Sequence, residues 1–307
     1  MAAASKLASV LLGCALVCAG SAAKAQAPAA APLVVHAIKD GKLYWVEGGG
    51  GNSGIIIGQT GVVVIDTKTT SAAAQALIAE VAKLTPKPIT HVIETHSDGD
   101  HVNGVVAFPP SVKVIAHVNN RREQIAEPLF AAVEVDGGKC LPPQDRLPNM
   151  LVFKDKVSTT LDGERVELLH FGPAHTTGDL VVYLPAYKVA FTGDLLTSNV
   201  LIHAEKHGSF EGWFKSAQGL LALDATQYVP GHAPKPDNKA ELRRRVADLQ
   251  AKRDKVDALV AQGKSLAEVK LAMGDPPTDA IGCRGIPFPS LGWTEYQAAT
   301  ARVLELK

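Results

Sequence analysis

Histidine and aspartate recur in this chain at one kind of place, the turn that follows a short run of apolar, β-forming residues. Four segments share this arrangement and follow one another as His96-Ser97-Asp98-Gly99-Asp100-His101, Ala174-His175, Gly193-Asp194 and Gly231-His232. Loops at the ends of strands are where binding and catalytic residues are usually built on a rigid scaffold. The pattern therefore favours a fold in which strands distant in sequence end together, with the candidate site at that edge.

The spacing within the first segment favours metal binding. In an extended turn, residues i and i+2 point the same way, so His96 and Asp98 can converge on one ion. Asp100 and His101 follow as the chain turns and can face a second ion. Imidazole and carboxylate groups are the ligands expected for zinc, iron or manganese. Solvated polar turns are the alternative, but four matching segments make chance a poor explanation.

Between these segments, short β-rich runs alternate with helical ones. Residues 54–58 and 62–66 predict a hairpin of buried strands, and 71–84 predicts a helix that ends before Pro86. Residues 89–94 predict the strand that leads into the histidine cluster. Further strands are predicted at 112–117, 166–171, 180–184 and 189–192. Strand pairs and helices mixed in this way predict sheets covered by helices.

A run of four glycines, Gly48 to Gly51, which we call the glycine loop, precedes the hairpin. No Lys-Ser/Thr pair follows it, and a strand comes next where a phosphate-binding loop would lead into a helix. The sequence therefore predicts a mobile loop at this position.

The sequence changes character after Pro236. Residues 239–262 are charged and helical, with an apolar stripe, and Ser265 to Glu268 form a capping box that begins another short helix. Because roughly 70 residues make only a marginal core, this tail is interpreted as an extension of the main domain. The predicted boundaries are 35–235 for the main domain and 236–307 for the C-terminal helical extension.

The first 25 residues have the features of a secretory signal. Lys6 is followed by a short, Ala-rich apolar run, and Ala23-Lys24-Ala25 offers small residues where a signal peptidase cuts. Residues 1–25 therefore predict a signal peptide, 26–34 a disordered leader, and the mature protein a periplasmic or secreted location. The apolar run is too short to be a good membrane span.

Export leaves two cysteines, Cys140 and Cys283, in the mature chain. In an oxidising compartment they could pair as a structural disulfide, and two unpaired thiols is an equally weighted alternative. Lys and Arg together number 31, as do Asp and Glu, so no global field attracts nucleic acid or an anionic membrane. The expected partner is a small-molecule substrate, and the oligomeric state is left open.

The order of these segments resembles the metallo-β-lactamase superfamily over about residues 35–235. The motif Thr-His-x-His-x-Asp-His is similar to Thr95-His96-Ser97-Asp98-Gly99-Asp100-His101, and Gly-His-Thr-x-Gly is similar to Ala174-His175-Thr176-Thr177-Gly178. The family's Gly-Asp and Pro-Gly-His segments resemble Gly193-Asp194 and Pro230-Gly231-His232. The resemblance implies an α/β fold, a four-layer αβ/βα metallo-β-lactamase sandwich, here with the C-terminal helical appendage.

The resemblance also implies roles for individual residues. One ion would be held by His96, Asp98 and His175, the other by Asp100, His101 and His232, and Asp194 would bridge them. Asp66, at the end of a strand, would support the metal loop from behind. Asp100 would orient a metal-bound water and accept its proton as the water attacks an ester, thioester or amide-type bond.

Asp98 departs from the family pattern, which usually has histidine at this position. A third carboxylate lowers the Lewis acidity of the ions and moves preference from zinc towards iron or manganese. The expected cofactor is one or two zinc ions, with iron or manganese as the alternative, and Asp98 is expected to ligate. The main hypothesis is an exported metal-dependent hydrolase. An iron-dependent oxidoreductase on the same scaffold, a β-lactamase and a non-catalytic metal-binding protein are the alternatives.

Overall fold

The computed structural model describes residues 32–126, 146–198, 200, 202, 207–274, 302, 303, 305 and 306. The predicted signal peptide, most of the predicted leader, and both Cys140 and Cys283 lie outside the described residues. The proposed cleavage near Ala25 and the proposed disulfide therefore stay predictions.

Among the described residues, the first sheet has seven strands, which neighbour one another in chain order. They are β1 (Val34–Lys39), β2 (Leu43–Glu47), β3 (Ser53–Ile57), β4 (Val62–Ile65), β5 (Ile89–Ile93), β6 (Lys113–His117) and β7 (Met150–Val152). Strands β1 to β4 pair antiparallel, whereas β4 to β7 pair parallel. Since parallel strands end at the same edge, the loops after β4 and β5 are neighbours there.

The second sheet, in the part of the chain that the structure describes, has five strands in the order β12-β11-β10-β9-β8. They are β8 (Lys156–Leu161), β9 (Glu164–Leu169), β10 (Val181–Leu184), β11 (Val189–Thr197) and β12 (Gln227–His232). Strands β11 and β12 run parallel, so they lead Asp194 and His232 towards the same edge of the sheet. The predicted strand at 189–192 is extended to Thr197, with register shifts on either side of Gly193. Asp194 therefore lies at an irregular point within a strand, where the sequence predicted a turn.

The helices are α1 (Ser71–Leu84), α2 (Gly99–Val102), α3 (Val118–Ala126), α4 (Phe210–Ala222), α5 (Lys239–Ala261) and α6 (Leu266–Ala272), with a 3₁₀ helix at Asn103–Ala107. Helix α1 has the predicted bounds, and its N-cap Thr70 accepts a hydrogen bond from the Ala73 amide. The capping box at Ser265 and Glu268 is present at the start of α6. No helix in the described part of the chain is both long and apolar enough to cross a membrane.

The apolar residues form layers. Residues of both sheets, such as Ile56, Ile93, Leu168 and Phe191, make one core between the sheets. Helix α1 covers the outer face of the first sheet, and helices α4 and α5 cover the outer face of the second. This helix–sheet–sheet–helix order confirms the predicted four-layer sandwich. Helix α5, predicted as part of the appendage, packs in the outer layer beside α4, and the predicted boundary at 235/236 stays a prediction.

Candidate metal centre

All seven predicted ligand residues come together at one edge of the sandwich, in two groups. The first group contains His96, Asp98, His175 and Asp194, and the second contains Asp100, His101 and His232. Within each group, one ligand atom from every residue lies within 4.8 Å of the others. The geometry thus places the predicted residues together, while the metal identity and the ligand roles stay proposals.

The first group is enclosed. The Nε2 atom of His175 lies 3.1 Å from Asp98 Oδ2, and the Nε2 atom of His96 lies 3.6 Å from the same oxygen. Each residue of this group is at most 5% exposed. Asp98 therefore faces the same centre as His96, as the i, i+2 spacing predicted.

The second group reaches the solvent. Asp100 Oδ2 lies 2.9 Å from His232 Nε2 and 3.7 Å from His101 Nε2. The side chain of His101 is fully buried, but those of Asp100 and His232 are 21% and 25% exposed. A substrate can therefore approach the centre from the side of Asp100 and His232.

Asp194 lies between the two groups. Its Oδ2 atom is 3.9 Å from Nε2 of both His96 and His175 and 3.4 Å from Nε2 of His232. Its Oδ1 atom is 3.2 Å from His101 Nε2. The Asp194 carboxylate therefore lies within 4 Å of histidine nitrogens from both groups.

The donor set fits metal cations. Within the described part of the chain, His96 Nε2 and both carboxylate oxygens of Asp194 are buried and make no hydrogen bond. Burial opposes ionisation of Asp194, but the charges of His232 and His101 outweigh it and hold its pKa well below the usual range. A buried carboxylate surrounded by imidazole nitrogens is a favourable place for a positive ion.

Asp66 orients one histidine of each group. Its carboxylate accepts hydrogen bonds of 2.8 Å from the Thr95 amide, from Thr95 Oγ1 and, in the tautomer that leaves Nε2 free, from His101 Nδ1. Because the Thr95 hydroxyl donates to Asp66, it can accept from His96 Nδ1, 2.9 Å away. Such contacts fix the ring orientation and present Nε2 to the centre. They are consistent with the supporting role that the resemblance implied for Asp66, which stays a prediction.

Two glycines allow the close approach of ligand side chains. A Cβ atom on Gly51 would lie 2.1 Å from Cε1 of His101, and one on Gly231 would lie 1.8 Å from Oδ1 of Asp194. Any larger residue would displace a candidate ligand.

The glycine loop, predicted to be mobile, is held by hydrogen bonds. The Gly51 amide donates to the Asp100 carbonyl at 3.1 Å, and its own carbonyl accepts from Lys68 Nζ at 2.9 Å. The Asn52 amide donates to the Gly231 carbonyl at 2.7 Å. The glycines suggested freedom, but Lys68 holds the end of the loop, and the Gly51 and Asn52 amides join it to both ligand segments of the second group.

Lys68 itself was missed by the sequence reasoning. It is fully buried, and its Nζ also donates to the Val46 carbonyl at 2.8 Å. Burial lowers the pKa of Lys68 to about 7, against the attraction of Asp66 and Asp100. No local pattern distinguishes this lysine from those in solvated loops.

Glu123 and Asp179 were missed as well. Glu123, on α3, accepts from Ser97 Oγ at 2.7 Å and from the Thr177 amide at 2.9 Å, so it joins the two loops of the first group. Asp179 accepts from the amide of Thr176 at 3.0 Å. Burial raises the pKa of Asp179 to about 7. Both carboxylates thus support the segment that carries the first group's second histidine.

Other described histidines lie outside both groups. The rings of His117 and His170 stack with centroids 3.9 Å apart, and His91 Nδ1 lies 3.4 Å from Asp162 Oδ2.

Comparison with known families agrees with this geometry. The model of the metallo-β-lactamase superfamily matches residues 46–232, which is more than half of the chain. The chain belongs to the metallo-β-lactamase superfamily. The predicted family, fold and enzyme class, a metal-dependent hydrolase of this superfamily, are confirmed.

Individual relatives have different activities. The chain is 25% identical over 195 residues to 2,4-dinitroanisole O-demethylase subunit alpha of Nocardioides sp. (strain JS1661), covering 62% of this chain and 55% of that one. It is 25% identical over 210 residues to linear primary-alkylsulfatase of Pseudomonas sp. (strain ATCC 19151), covering 56% and 39%. The solved structure of a metallo-β-lactamase from Pontibacter korlensis has a TM-score of 0.58 and 21% identity, covering 71% of this chain and 99% of that one. The chain thus spans little more than half of the first relative and less of the second.

Proposed function

We propose that this chain is an exported hydrolase in which a one- or two-metal site activates water to cleave an ester, thioester or amide-type bond of a small molecule. The observation that carries the proposal is the position of Asp194 between a buried and a partly open group of ligand atoms. Two adjacent ion positions linked by a carboxylate are the arrangement that hydrolytic two-metal sites use.

Among ester-type substrates, a sulfate ester is the first class to test. The relatives include enzymes named alkylsulfatases, one of which is 30% identical over 188 residues. Zinc β-lactamases usually have Cys or Ser near the position that Asp194 occupies in this chain. Because Asp194 departs from that pattern, β-lactam hydrolysis is a less favoured candidate than ester hydrolysis. The comparisons do include β-lactamases, so a cephalosporin belongs in the same screen.

The residues of the open group would carry the proton transfer. Bound metal ions supply a water of lowered pKa and polarise the bond to be cleaved. Burial would raise the pKa of Asp100, but the charges of His101 and His232 lower it below the usual range. Its carboxylate is thus ionised at neutral pH, about a fifth exposed on the substrate side, and placed to orient the water and accept its proton.

Asp98 governs the choice of metal. With Asp98 and Asp194, the first group offers two carboxylates beside two imidazoles, a harder donor set than three histidines. We propose zinc as the first candidate and iron or manganese as the second. The carboxylate at position 98 also favours one second function, an iron-dependent oxidoreductase on the same scaffold.

The test combines metal analysis with a substrate screen. Protein beginning at Gln26 is purified, its zinc, iron and manganese are quantified, and it is assayed on an alkyl sulfate, an aryl ester, a thioester, a phosphodiester and a chromogenic cephalosporin. We expect one to two ions per chain and hydrolysis that is lost on chelation and restored by the same metal. Protein that binds no metal after reconstitution contradicts both enzyme hypotheses, and iron with no hydrolysis favours the oxidoreductase.

Export is tested separately. The full-length chain is expressed in a bacterial host, and the N-terminus of the protein in the periplasmic fraction is sequenced. A new terminus near Gln26 is expected for signal cleavage after Ala25. Retention of Met1 in the cytoplasmic fraction contradicts export and leaves the proposed chemistry intact.

A further inference from the structure

Lys68 is a charged side chain buried beside the second ligand group. It is 0% exposed, although a buried ammonium is costly unless it is well satisfied. Its backbone is left-handed, with φ 73°, and Asp66, two residues before it, also has a left-handed φ of 58°. Non-glycine residues rarely adopt this conformation, and such strain tends to persist where the surrounding structure uses it.

The turn that carries Lys68 also contacts the metal segment directly. The Thr67 amide donates to the His101 carbonyl at 2.7 Å, and the Thr67 hydroxyl donates to the same oxygen at 3.0 Å. The Gly104 amide donates to the Lys68 carbonyl at 3.0 Å. The backbone on both sides of Lys68 is thus fixed to the segment of Asp100 and His101.

The side chain of Lys68 extends this contact to the other strand ends. Its two acceptors are the carbonyls of Val46, shortly before the glycine loop, and of Gly51, the last residue of the loop, so one ammonium closes the base of that loop. Gly51 then packs against the His101 ring and donates to the Asp100 carbonyl.

Asn52 continues the same connection to the third ligand segment. Its side-chain amide donates to the carbonyls of Pro230 and Ala233, both at 2.9 Å, and its backbone amide donates to Gly231. These contacts surround His232 on both sides. Every segment that contributes to the second group is therefore joined, directly or through one residue, to the loop that Lys68 closes.

We propose that Lys68 is a positioning residue for the second metal ion: by closing the glycine loop it sets the spacing of Asp100, His101 and His232. This inference rests on the two-ion site of the proposed function. The second group needs such a support more than the first, because two of its three side chains reach the solvent and are less confined by packing. An ammonium that donates to two carbonyls cannot be replaced by an apolar side chain without leaving both acceptors unsatisfied.

The test compares two lysines that each donate to backbone carbonyls. Lys68→Met keeps the length of the side chain and removes the donor, and Lys87→Met does the same at a lysine that donates to the Gly58 carbonyl away from the site. Binding of zinc and of cobalt(II) is measured by competition with a chromogenic chelator, together with melting curves of the metal-free and metal-loaded proteins. Loss of a supporting residue typically weakens metal binding by about 10–100-fold.

In Lys68→Met we expect one of the two ions to bind about 10–100-fold more weakly while the other keeps its wild-type affinity. Lys87→Met is expected to keep both affinities. If Lys68→Met does not fold, Lys68→Gln, whose shorter amide retains a donor, is measured in its place, with the same selective loss expected.

The proposal is overturned if Lys68→Met weakens the binding of both ions equally, or leaves both affinities unchanged. It is also overturned if the wild-type protein binds a single ion with the same affinity as Lys68→Met. The readout is independent of turnover. Wild-type protein that binds two ions but hydrolyses nothing contradicts the proposed function and leaves this inference standing.

Discussion

The two halves of the candidate metal centre differ in how they are enclosed. His96, Asp98 and His175 are buried throughout, whereas Asp100 and His232 expose about a fifth to a quarter of their side chains. The enclosed half lies where exchange with solvent is hindered, and the open half lies where a substrate and its attacking water can enter. We infer that retention of metal and access of substrate are divided between the halves.

The supports of the two halves differ in the same way. The enclosed half is tied by carboxylates of neighbouring segments, since Glu123 joins Ser97 to Thr177. The open half depends on the buried Lys68 and on the backbone of the glycine loop. Asp194 contacts both halves, and so does the pair formed by Asp66 and Thr95. Variants can therefore be chosen that affect one half, or both.

The largest effect is expected from Asp194→Asn, which keeps the shape of the side chain and removes the charge shared by both halves. We expect both ions to be weakened and hydrolysis to fall by more than about 100-fold, the upper range for residues that only support ligands. Asp224→Asn, an exposed aspartate paired with Lys188, is the matched control. Metal content and turnover are measured together. If Asp194→Asn weakens only one ion, Asp194 does not bridge, and the halves are independent.

Removing one histidine from each half gives the next largest contrast. His175→Ala leaves the carboxylates of Asp98 and Asp194 buried with fewer partners, so we expect a loss of about 1–3 kcal/mol in the free energy of unfolding. For a domain of this size that corresponds to a fall in Tm of roughly 2–4 °C per kcal/mol. The His232 side chain is already partly exposed, so water can reach the groups that His232→Ala leaves without a partner. The Tm of metal-free His232→Ala should therefore change less than that of His175→Ala.

Metal analysis of these two variants sharpens the same contrast. Each should retain one ion, His232→Ala in the enclosed half and His175→Ala in the open half. A chelator should therefore remove the ion of His175→Ala faster. The comparison fails if the two variants lose their remaining ion at the same rate.

The ligand residues could be predicted from the sequence because their signals are local. His96 to His101 stand within six residues, and His175, Asp194 and His232 each follow an apolar strand. The strands themselves were recognised from their β-forming runs, although Gly193 was interpreted as a turn and lies within β11. Patterns of this kind depend on neighbours in the chain, and these are visible in one sequence.

The supporting residues could not be predicted, because their partners are distant in the chain. Lys68 acts on carbonyls 17 and 22 residues away, and Glu123 acts on an amide 54 residues away. The composition of a loop does not predict which of its carbonyls will accept a hydrogen bond from which donor. The glycine loop is an example, since its glycines suggested motion, whereas the Gly49 and Gly51 carbonyls accept hydrogen bonds from Thr69 and Lys68, which no local pattern identifies. Its mobility stays a prediction.

Asp98→His tests whether the enclosed half selects the metal. An imidazole in place of the carboxylate makes the donor set softer and less negative, so the ratio of zinc to iron or manganese in the purified protein should rise several-fold. The change is expected in the ion of the enclosed half, with the melting temperature close to that of the wild type. Asp98→Asn, which removes the charge without adding an imidazole, is the control. Unchanged metal content and activity in both variants would mean that Asp98 is not a ligand.

The smallest effect is expected from Glu123→Gln, which alters a support of the enclosed half without touching a ligand. The amide keeps one oxygen for the Thr177 amide but loses the charge that strengthens this hydrogen bond and the one from Ser97 Oγ. We expect a loss of about 1–2 kcal/mol in the free energy of unfolding. Metal binding should weaken a few-fold, and only for the ion of the enclosed half. Glu80→Gln, on α1 beside Lys83, is the exposed control. If Glu123→Gln instead weakens binding of the ion in the open half, the two sets of supports are coupled through Asp194. A change in either set would then lower the metal affinity of the whole centre.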